Sequence, residues 1–188
     1  MKKIEIVGYN RANLGKSTSK GIREVGNVPC VLYGGAKQVH FYAPVILFKD
    51  LLYTPNVYEV ELNIEGEIHR AILQDAQFHP VNDTLVHVDF LEVNDSKKIK
   101  IDVPIKFLGS SPGVLRGGKL VQKLRKISLK GTVAQIPDFV EVQVGDLDLG
   151  KSRKVADITV EGCQILNPLS NPICTIDIPR ALRGKVSA

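Results

Sequence analysis

The residues best suited to binding chemistry lie near the start of the chain, where cations, hydroxyls and glycines are closely spaced. Gly15 allows the backbone to approach a ligand closely, and a helix that begins near Ser17 would point free N–H groups at an anion. Spacings of four and three residues put Lys16, Lys20 and Arg23 on roughly one helical face. Phosphate groups are the natural counterpart of that face, although a basic helix face is as often simply solvated.

Gly15-Lys16-Ser17 also occurs in nucleotide-binding P-loops, which require another glycine five residues earlier. Asn10 occupies that position, so the sequence argues against an NTP-binding loop. The same stretch contains further candidates for an anion-binding surface, and these are Arg11, Ser19, Tyr33, Gly34 and Gly35.

A second group of polar residues follows later, beginning at Gln74 and ending at Asp89. Side chains alternate along a strand, so His87 and Asp89 share a face opposite the neighbouring valines and phenylalanine. We expect the valine and phenylalanine face to be core, and Asp89 to orient the imidazole on the other face. Three interpretations compete: a metal or hydrolytic site that uses His79, His87 and Asp89, a structural His–Asp pair, or a patch that reads RNA.

A third group of candidates lies between Val103 and Pro137, an interval with seven basic residues and no acidic one. It suits a second RNA contact or an acidic protein surface, and it could equally be a solvated strand face. The seven residues are Lys106, Arg116, Lys119, Lys123, Arg125, Lys126 and Lys130.

The 188 residues carry a formal charge of +5, and that charge is unevenly distributed. Residues 1–38 carry +5, residues 39–95 carry −8 and residues 96–188 carry +8. This asymmetry suggests that the first and last segments each face a polyanion.

The three cysteines, Cys30, Cys163 and Cys174, are far apart and form no C-x-x-C pair. That pattern is typical of reduced thiols in a cytosolic protein rather than of disulfides or a zinc site. The start of the chain is basic but has no apolar core of a signal peptide behind it, and no run is long enough to span a bilayer. We expect a cytoplasmic protein without membrane contact.

Many short runs rich in β-branched and aromatic residues predict a mainly β protein with short helices. In the first half these runs are Ile4–Gly8, Cys30–Tyr33, Val39–Tyr42, Val57–Ile64, Ile68–Gln74 and Leu85–Val93. Glu65-Gly66 predicts a hairpin turn between two of them. Short helices are predicted at Ser17–Val25 and Pro44–Tyr53.

The polar run from Asn94 to Lys98 predicts a domain boundary, which we place between residues 95 and 96. A β-rich second domain follows, with predicted strands at Lys98–Leu108, Leu120–Lys130, Val140–Val144 and Cys174–Ile178. The last residues, Arg180–Ala188, are small and basic, and we expect them to be frayed.

These residues resemble a known family, the bacterial large-subunit ribosomal proteins that bind 5S rRNA. The similarity in the first domain rests on Arg11, Gly15, Lys16, Ser19, Arg23, Gly26, Pro29, Leu32–Gly35, Gln74, Asp75, Gln77, His79, Pro80 and His87–Phe90. The second domain is similar to the long, two-domain form called general stress protein Ctc, on the basis of Val103–Ile105, Gly109, Gly113, Val114, Gly117 and Gly118. Family members often have two adjacent arginines in the first helix, where this chain has Lys20-Gly21, which keeps the charge but loses the planar guanidinium.

The resemblance implies a six-stranded antiparallel barrel in residues 1–95, which binds 5S rRNA, and a β-rich domain in residues 96–188. It implies that the RNA is read at an irregular internal loop with a widened minor groove. Phosphate contacts would come from Arg11, Lys16, Ser19, Lys20 and Arg23. The Tyr33-Gly34-Gly35 turn, with Gly15, would lie against the RNA backbone, and Gln74, His87 and Asp89 would face the groove.

The sequence therefore predicts a non-catalytic structural constituent of the large ribosomal subunit that binds 5S rRNA as a monomer and without a cofactor. Residues 96–188 would contact neighbouring ribosomal RNA or protein. Two alternatives stay open. One is a metal-dependent hydrolase that uses His79, His87 and Asp89, and the other is a stress-conditional RNA-binding protein that visits the ribosome part of the time.

Overall fold

The computed structural model describes residues 1–179, and its chain divides into two compact units. The first unit is Met1–Ile99 with Thr132–Ala134, and the second comprises Lys100–Gly131 and the chain from Gln135 onward. The tail predicted to be frayed, Arg180–Ala188, lies outside the described residues. The boundary at residues 95 and 96 stays a prediction.

Six strands of the first unit close into a barrel in the order β1-β3-β2-β6-β5-β4. The strands are β1 Lys2–Asn10, β2 Asn27–Tyr33, β3 Val39–Pro44, β4 Tyr58–Ile64, β5 Glu67–Phe78 and β6 Leu85–Glu92. Helix α1, Lys16–Glu24, follows β1, and a 3₁₀ turn, Val45–Phe48, continues into α2, Lys49–Leu52. The predicted mainly β fold and its six-stranded barrel are confirmed.

The barrel is antiparallel in four of its six strand pairings, and the other two, β1 with β4 and β2 with β6, are parallel. Short connections reverse the chain between β2 and β3, between β4 and β5, and between β5 and β6, which forces antiparallel pairing. The two parallel pairs join strands that are distant in sequence, so no tight turn sets their relative direction. The prediction of an antiparallel barrel is therefore corrected for these two strand pairs, which are parallel.

The interior of the barrel is filled by alternate residues of its strands. Ile6, Leu32, Phe41, Leu62 and Phe90 are fully buried in one cluster. Phe48 of the 3₁₀ turn belongs to the same cluster, and its ring centroid lies 6.3 Å from that of Phe90. The short helical segment thus closes the core beside the strands, which its apolar spacing predicted.

The three cysteines are free thiols, as predicted. Cys30 and Cys174 are buried, whereas Cys163 is only partly buried. Burial raises the pKa of all three thiols, which disfavours the nucleophilic thiolate. Cys30 and Cys174 are small hydrophobic residues of the core.

The second unit holds two small sheets, in the orders β10-β7-β9-β12 and β11-β13-β8. Its strands are β7 Ile99–Leu108, β8 Lys119–Gln122, β9 Lys126–Gly131, β10 Val140–Gln143, β11 Ser152–Lys154, β12 Gln164–Ile165 and β13 Pro172–Asp177, with a short helix α3, Pro112–Leu115, and a 3₁₀ turn, Val155–Asp157. The β-rich character is confirmed. No helix within residues 1–179 is long and apolar enough to cross a membrane.

The single strand predicted at Leu120–Lys130 is wrong, because the structure has two strands in different sheets there. The backbone N–H groups of Lys123 and Leu124 both donate to the carbonyl of Ile173, at 2.8 and 3.1 Å. This shared acceptor bends the chain between β8 and β9. No Gly, Pro, Asn or Asp lies in this run to mark the bend, which depends on a distant strand.

The predicted hairpin between β4 and β5 turns at Glu65 and Gly66, whose φ angles are 51° and 98°. Two positive φ values define the type I′ turn that matches the twist of paired strands. We expect Gly66→Ala to lower the free energy of unfolding by about 1–2 kcal/mol, because an L side chain disfavours this conformation. Urea unfolding of the barrel, followed by circular dichroism, measures the change.

Gly21→Ala is the matched control, because Gly21 lies within α1 and no other atom lies within 4 Å of the added Cβ. Alanine should stabilise the helix there by up to about 1 kcal/mol. Equal effects of the two substitutions would contradict the turn assignment.

Candidate nucleic-acid interface

Helix α1 lies almost entirely in solvent, since none of its nine residues is buried. It begins one residue before the predicted start, after Gly15 in an extended conformation, and it ends before Gly26, whose φ of 81° is left-handed. Nothing within the described protein lies within 4 Å of a Cβ added at Gly15. The fold itself therefore does not require glycine at this position, and the backbone there is open to an approaching ligand.

Two side-chain contacts hold α1 against the barrel. The Arg11 Nη2 group donates to Ser19 Oγ at 3.0 Å, and Ser19 Oγ donates to the Gly15 carbonyl at 2.8 Å. Farther along the helix, Arg23 Nε donates to the carbonyl of Val86 in β6 at 3.0 Å. The structure thus brings Arg11, Gly15 and Ser19 together, and it uses the Ser19 hydroxyl within the protein. Arg23 is held separately, on β6.

Lys16 and Lys20 are the exposed cations of α1 with the fewest internal contacts. Lys20 Nζ lies 3.8 Å from Glu24 Oε1, and because both side chains are well exposed this ion pair contributes little to stability. The Lys16 side chain has no hydrogen bond or ion pair to any residue between 1 and 179. Arg11 Nε is buried and likewise lacks a hydrogen-bond acceptor in this part of the chain.

The Tyr33-Gly34-Gly35 turn fits closely against the end of β6. A Cβ added at Gly34, where φ is 93°, would lie 2.5 Å from Leu91 Cδ1, and one added at Gly35 would overlap the Glu92 carboxylate. The Gly34 carbonyl also accepts a hydrogen bond from Lys97 Nζ at 2.9 Å. Packing within the protein therefore explains why glycine occupies both positions, without reference to a ligand.

His87 and Asp89 form the pair that the strand pattern predicts. His87 Nδ1 lies 2.7 Å from Asp89 Oδ1, and the side chains are 26% and 27% exposed. Val88 and Phe90 are fully buried on the other side of β6. Asp89 thus fixes the ring orientation and leaves the other ring nitrogen for a partner at the surface.

A β-bulge in β5 brings two further polar residues to this surface. The register shifts between Leu73 and Asp75, so Gln74 is the extra residue and has no partner on β6. After the shift, Asp75 lies opposite Asp89, and Gln77 lies opposite His87. The sequence analysis assigned no binding role to Asp75 or Gln77. Strict alternation from Leu73 would have pointed both of them into the barrel.

Tyr33 lies close enough to these carboxylates to respond to their charge. Burial raises the pKa of the Tyr33 hydroxyl, and the negative charges of Asp89 and Asp75 raise it further. The end of β2, the bulged part of β5 and the middle of β6 therefore form one polar surface, which contains tyrosine, histidine and carboxylate groups.

His79 is not part of this surface in a metal-binding arrangement. Among residues 1–179, no three His, Cys, Asp or Glu side chains are grouped so that they could hold a metal ion. His79 Nδ1 instead accepts a hydrogen bond from the backbone N–H of Val81 at 3.3 Å, in the connection that follows β5. The hydrolase alternative, which needs His79 beside His87 and Asp89, lacks this geometry.

In the second unit, two of the seven predicted basic residues have partners within the unit. Arg116 Nη1 donates to both carboxylate oxygens of Asp148, at 3.0 and 2.8 Å, and Lys106 Nζ lies 3.7 Å from the ring centroid of Phe139. The others lie on or between β8 and β9, and they are Lys119, Lys123, Arg125, Lys126 and Lys130.

Comparison with known proteins agrees with this architecture. Residues 6–90 match the ribosomal L25p family, and residues 98–180 match the C-terminal domain of ribosomal protein TL5. The chain is 48% identical over 188 residues to large ribosomal subunit protein bL25 of Cytophaga hutchinsonii, an alignment that covers 100% of this chain and 98% of the relative. The chain belongs to the bL25 family of ribosomal proteins. The corresponding protein of Amoebophilus asiaticus is 48% identical over 184 residues, with 98% of this chain and 94% of the relative covered.

As a bL25 family member in the long form, the chain is a large-subunit ribosomal protein rather than an enzyme. The resemblance stated from the sequence is therefore confirmed at the level of the family. A third bL25 protein, from Phocaeicola vulgatus, is 41% identical over 191 residues, covering 98% of this chain and 96% of the relative.

The Tyr33 surroundings give a measurable prediction. The pKa of Tyr33 should lie above its ordinary value of 10.0, and Asp89→Asn should lower it, because a nearby negative charge disfavours the tyrosinate. Part of the elevation should remain in the variant, since burial is the larger cause. Titration of the Tyr33 ring resonances by NMR measures this shift.

Asp83→Asn serves as the control, because Asp83 is not among the groups that perturb Tyr33. A Tyr33 titration that is the same in the parent and in Asp89→Asn would contradict the described geometry.

Proposed function

We propose that this chain, a structural constituent of the large ribosomal subunit in the cytoplasm, binds 5S rRNA at an irregular internal loop. The proposed contact region, called here the RNA surface, combines the exposed side of α1 with the outer side of β5, β6 and the end of β2. Its residues are Arg11, Gly15, Lys16, Ser19, Lys20, Arg23, Tyr33, Gly34, Gly35, Gln74, His87 and Asp89.

The observation that carries the proposal is that α1 buries none of its residues. A nine-residue helix is marginally stable alone, and tertiary packing normally stabilises it. Here two hydrogen-bonded contacts hold the helix while Lys16 and Lys20 extend into solvent. A polyanion that binds this side would both neutralise the cations and order the helix.

The two parts of the RNA surface suit different parts of an RNA molecule. Lys16, Lys20 and Arg23 suit phosphates, which fix position without reading sequence. Asp89 and Asp75 would repel phosphates, but they accept hydrogen bonds from base amino groups and 2′-hydroxyls. A widened minor groove offers such donors, and the His87 ring, held by Asp89, adds a polar group of fixed orientation.

Arg11 and Ser19 have a more specific role within this proposal. The Ser19 hydroxyl accepts from Arg11 and donates to the Gly15 carbonyl, so its hydrogen-bonding capacity is largely used in the protein. Ser19 would therefore position Arg11 and the start of α1. Arg11 would contact the RNA with the guanidinium N–H groups that do not bond to Ser19, whereas its Nε group is buried.

For the second unit we propose contacts with neighbouring ribosomal RNA or proteins through residues 96–188, with one copy of the chain per subunit. The basic residues on β8, on β9 and in the bend between them support this proposal, because an interval without acidic residues attracts polyanions.

A filter-binding assay over a range of salt concentrations tests the proposed function. The full-length protein should bind 5S rRNA much more tightly than a duplex of the same length without the internal loop. Equal affinity for the two RNAs at every salt concentration would overturn the assignment of the target.

Lys16→Ala should weaken binding to 5S rRNA and reduce the slope of log K against log salt by about 0.7–0.9, the value for one phosphate contact. Lys3→Ala is the matched control, because it removes one exposed cation from β1, where Lys3 pairs with Glu61 at 2.6 Å. The control should leave the slope unchanged, and an equal loss in both variants would indicate a general effect of net charge.

Asp89→Asn should reduce the preference for the internal loop over plain duplex by about tenfold or more, because one hydrogen bond to a charged group contributes about 1.5–3 kcal/mol. Binding to the duplex control should hardly change, since phosphate contacts do not involve Asp89. An unchanged preference in both Asp89→Asn and His87→Ala would leave the pair with a structural role only.

A further inference from the structure

A cavity of about 370 Å³ opens in the barrel unit beside the C-terminal end of α1. Its walls come from the end of α1, the start of β2, the 3₁₀ turn with α2, and the connection between β5 and β6. Arg23 lines this cavity and is also part of the RNA surface. The cavity is thus continuous with the region where we propose that RNA binds.

The cavity has apolar walls and an apolar rim. Val28 and Phe48 are part of the buried core, and Leu52 packs against it. At the rim, Val45 is 45% exposed and Tyr53 is 71% exposed, so a tyrosine ring and a branched side chain face water. A flat apolar group could enter between these walls and stack on the rim tyrosine.

Polar groups of both signs line the same cavity. Lys49, Asn27 and Asp83 have no side-chain hydrogen bond or ion pair with any residue in the described range 1–179. Arg23 donates its Nε–H to the Val86 carbonyl, and the two amino groups of its guanidinium have no partner among residues 1–179. The cavity therefore offers cations for an anionic group, together with one amide and one carboxylate for a polar edge.

We propose that this cavity receives the base of an unstacked nucleotide of the RNA bound by α1, and the inference rests on the proposed function. A nucleobase has flat apolar faces, which suit the walls and Tyr53, and a polar edge, which suits Asn27 and Asp83. Its phosphate would lie near Arg23 and Lys49. Irregular internal loops are the parts of RNA that most readily offer unstacked bases.

Asp83 would select among bases. An ionised carboxylate only accepts hydrogen bonds, and its two oxygens accept from two adjacent donors. Guanine presents such a pair in its N1–H and N2 amino groups, whereas uracil presents a single N–H between two carbonyls. The cavity should therefore prefer guanine, and this preference should depend on the Asp83 charge.

Tyr53→Trp supplies a fluorescent reporter at the rim, because the chain contains no tryptophan. The full-length reporter protein is titrated with GMP, AMP, CMP and UMP, and with ribose 5-phosphate as the ligand without a base. Saturable quenching is expected at millimolar concentrations, with GMP binding at least fivefold more tightly than UMP and with ribose 5-phosphate much weaker. Equal responses to all five ligands, or no response, would overturn the proposal.

Two further substitutions in the reporter protein separate cavity binding from a fold defect. Val45→Phe enlarges a half-exposed rim residue and should block entry, lowering GMP affinity at least tenfold. Asparagine, like aspartate, tolerates the φ of 52° at position 83. Asp83→Asn should abolish the preference for GMP over UMP. Each variant is first compared with the parent by thermal unfolding, and an unchanged preference in folded Asp83→Asn would contradict the proposed edge contact.

The same variants, made without the reporter, are then tested with 5S rRNA. Val45→Phe should bind at least fivefold more weakly than the parent with an unchanged salt slope, because the phosphate contacts of α1 remain. If Val45→Phe binds normally while Lys16→Ala is impaired, the cavity inference fails and the proposed function stands. If the parent itself shows no preference for 5S rRNA, the proposed function fails, and nucleotide binding alone would indicate a site for free nucleotides instead.

Discussion

The seam between β1 and β4 is the constraint on which the barrel unit depends. It pairs the two strands in parallel from Lys2 opposite Tyr58 to Gly8 opposite Ile64, and it closes the sheet so that no free edge remains. Closure also brings the far end of β1 to a fixed place, from which the chain leaves for α1. Gly8 is needed at this end, since an added Cβ would lie 2.6 Å from the ring of Phe41.

The closed barrel explains how an unburied helix can have a defined position. The Arg11 backbone N–H donates to the His40 carbonyl at 2.9 Å, so the chain leaves β1 at a fixed point of β3. From there the Arg11 side chain reaches Ser19, and Arg23 reaches β6. The barrel therefore orients α1 through three hydrogen bonds and leaves its cations exposed, which suits a protein that adds a rigid polar surface to a larger assembly.

Much of this architecture could be predicted from the sequence, because it depends on local patterns. Alternating β-branched residues located all six barrel strands, and Glu65-Gly66 located a hairpin turn. Properties that depend on distant residues could not be predicted in this way. They include the parallel pairings, the bend before β9, and the packing of Gly34 against Leu91. This packing explains why glycine occupies position 34, whereas the family resemblance alone would attribute that glycine to RNA binding.

The residues of the candidate site likewise divide into those that local patterns predict and those whose role depends on distant residues. The cations of α1 and the His87–Asp89 pair follow from spacing and alternation, whereas the internal use of Ser19 requires the position of Arg11, eight residues away. The involvement of Asp75 depends on a bulge that no local composition marks.

Because of this bulge, the direction in which side chains of the second half of β5 point depends on the number of residues in the strand rather than on their chemical type. Ala71 and Leu73 point into the barrel before it, and Ala76 does so after it, because Gln74 shifts the phase of the strand by one residue. Deleting Gln74 would remove no interior side chain and no charge. Alternation from Leu73 would then still place Asp75 outside and Ala76 inside, whereas a regular strand that kept Gln74 without the bulge would exchange inside and outside from Asp75 onward. The parity of residues between Leu73 and Asp75, together with the bulge that accommodates Gln74, therefore determines which side chains form the polar surface.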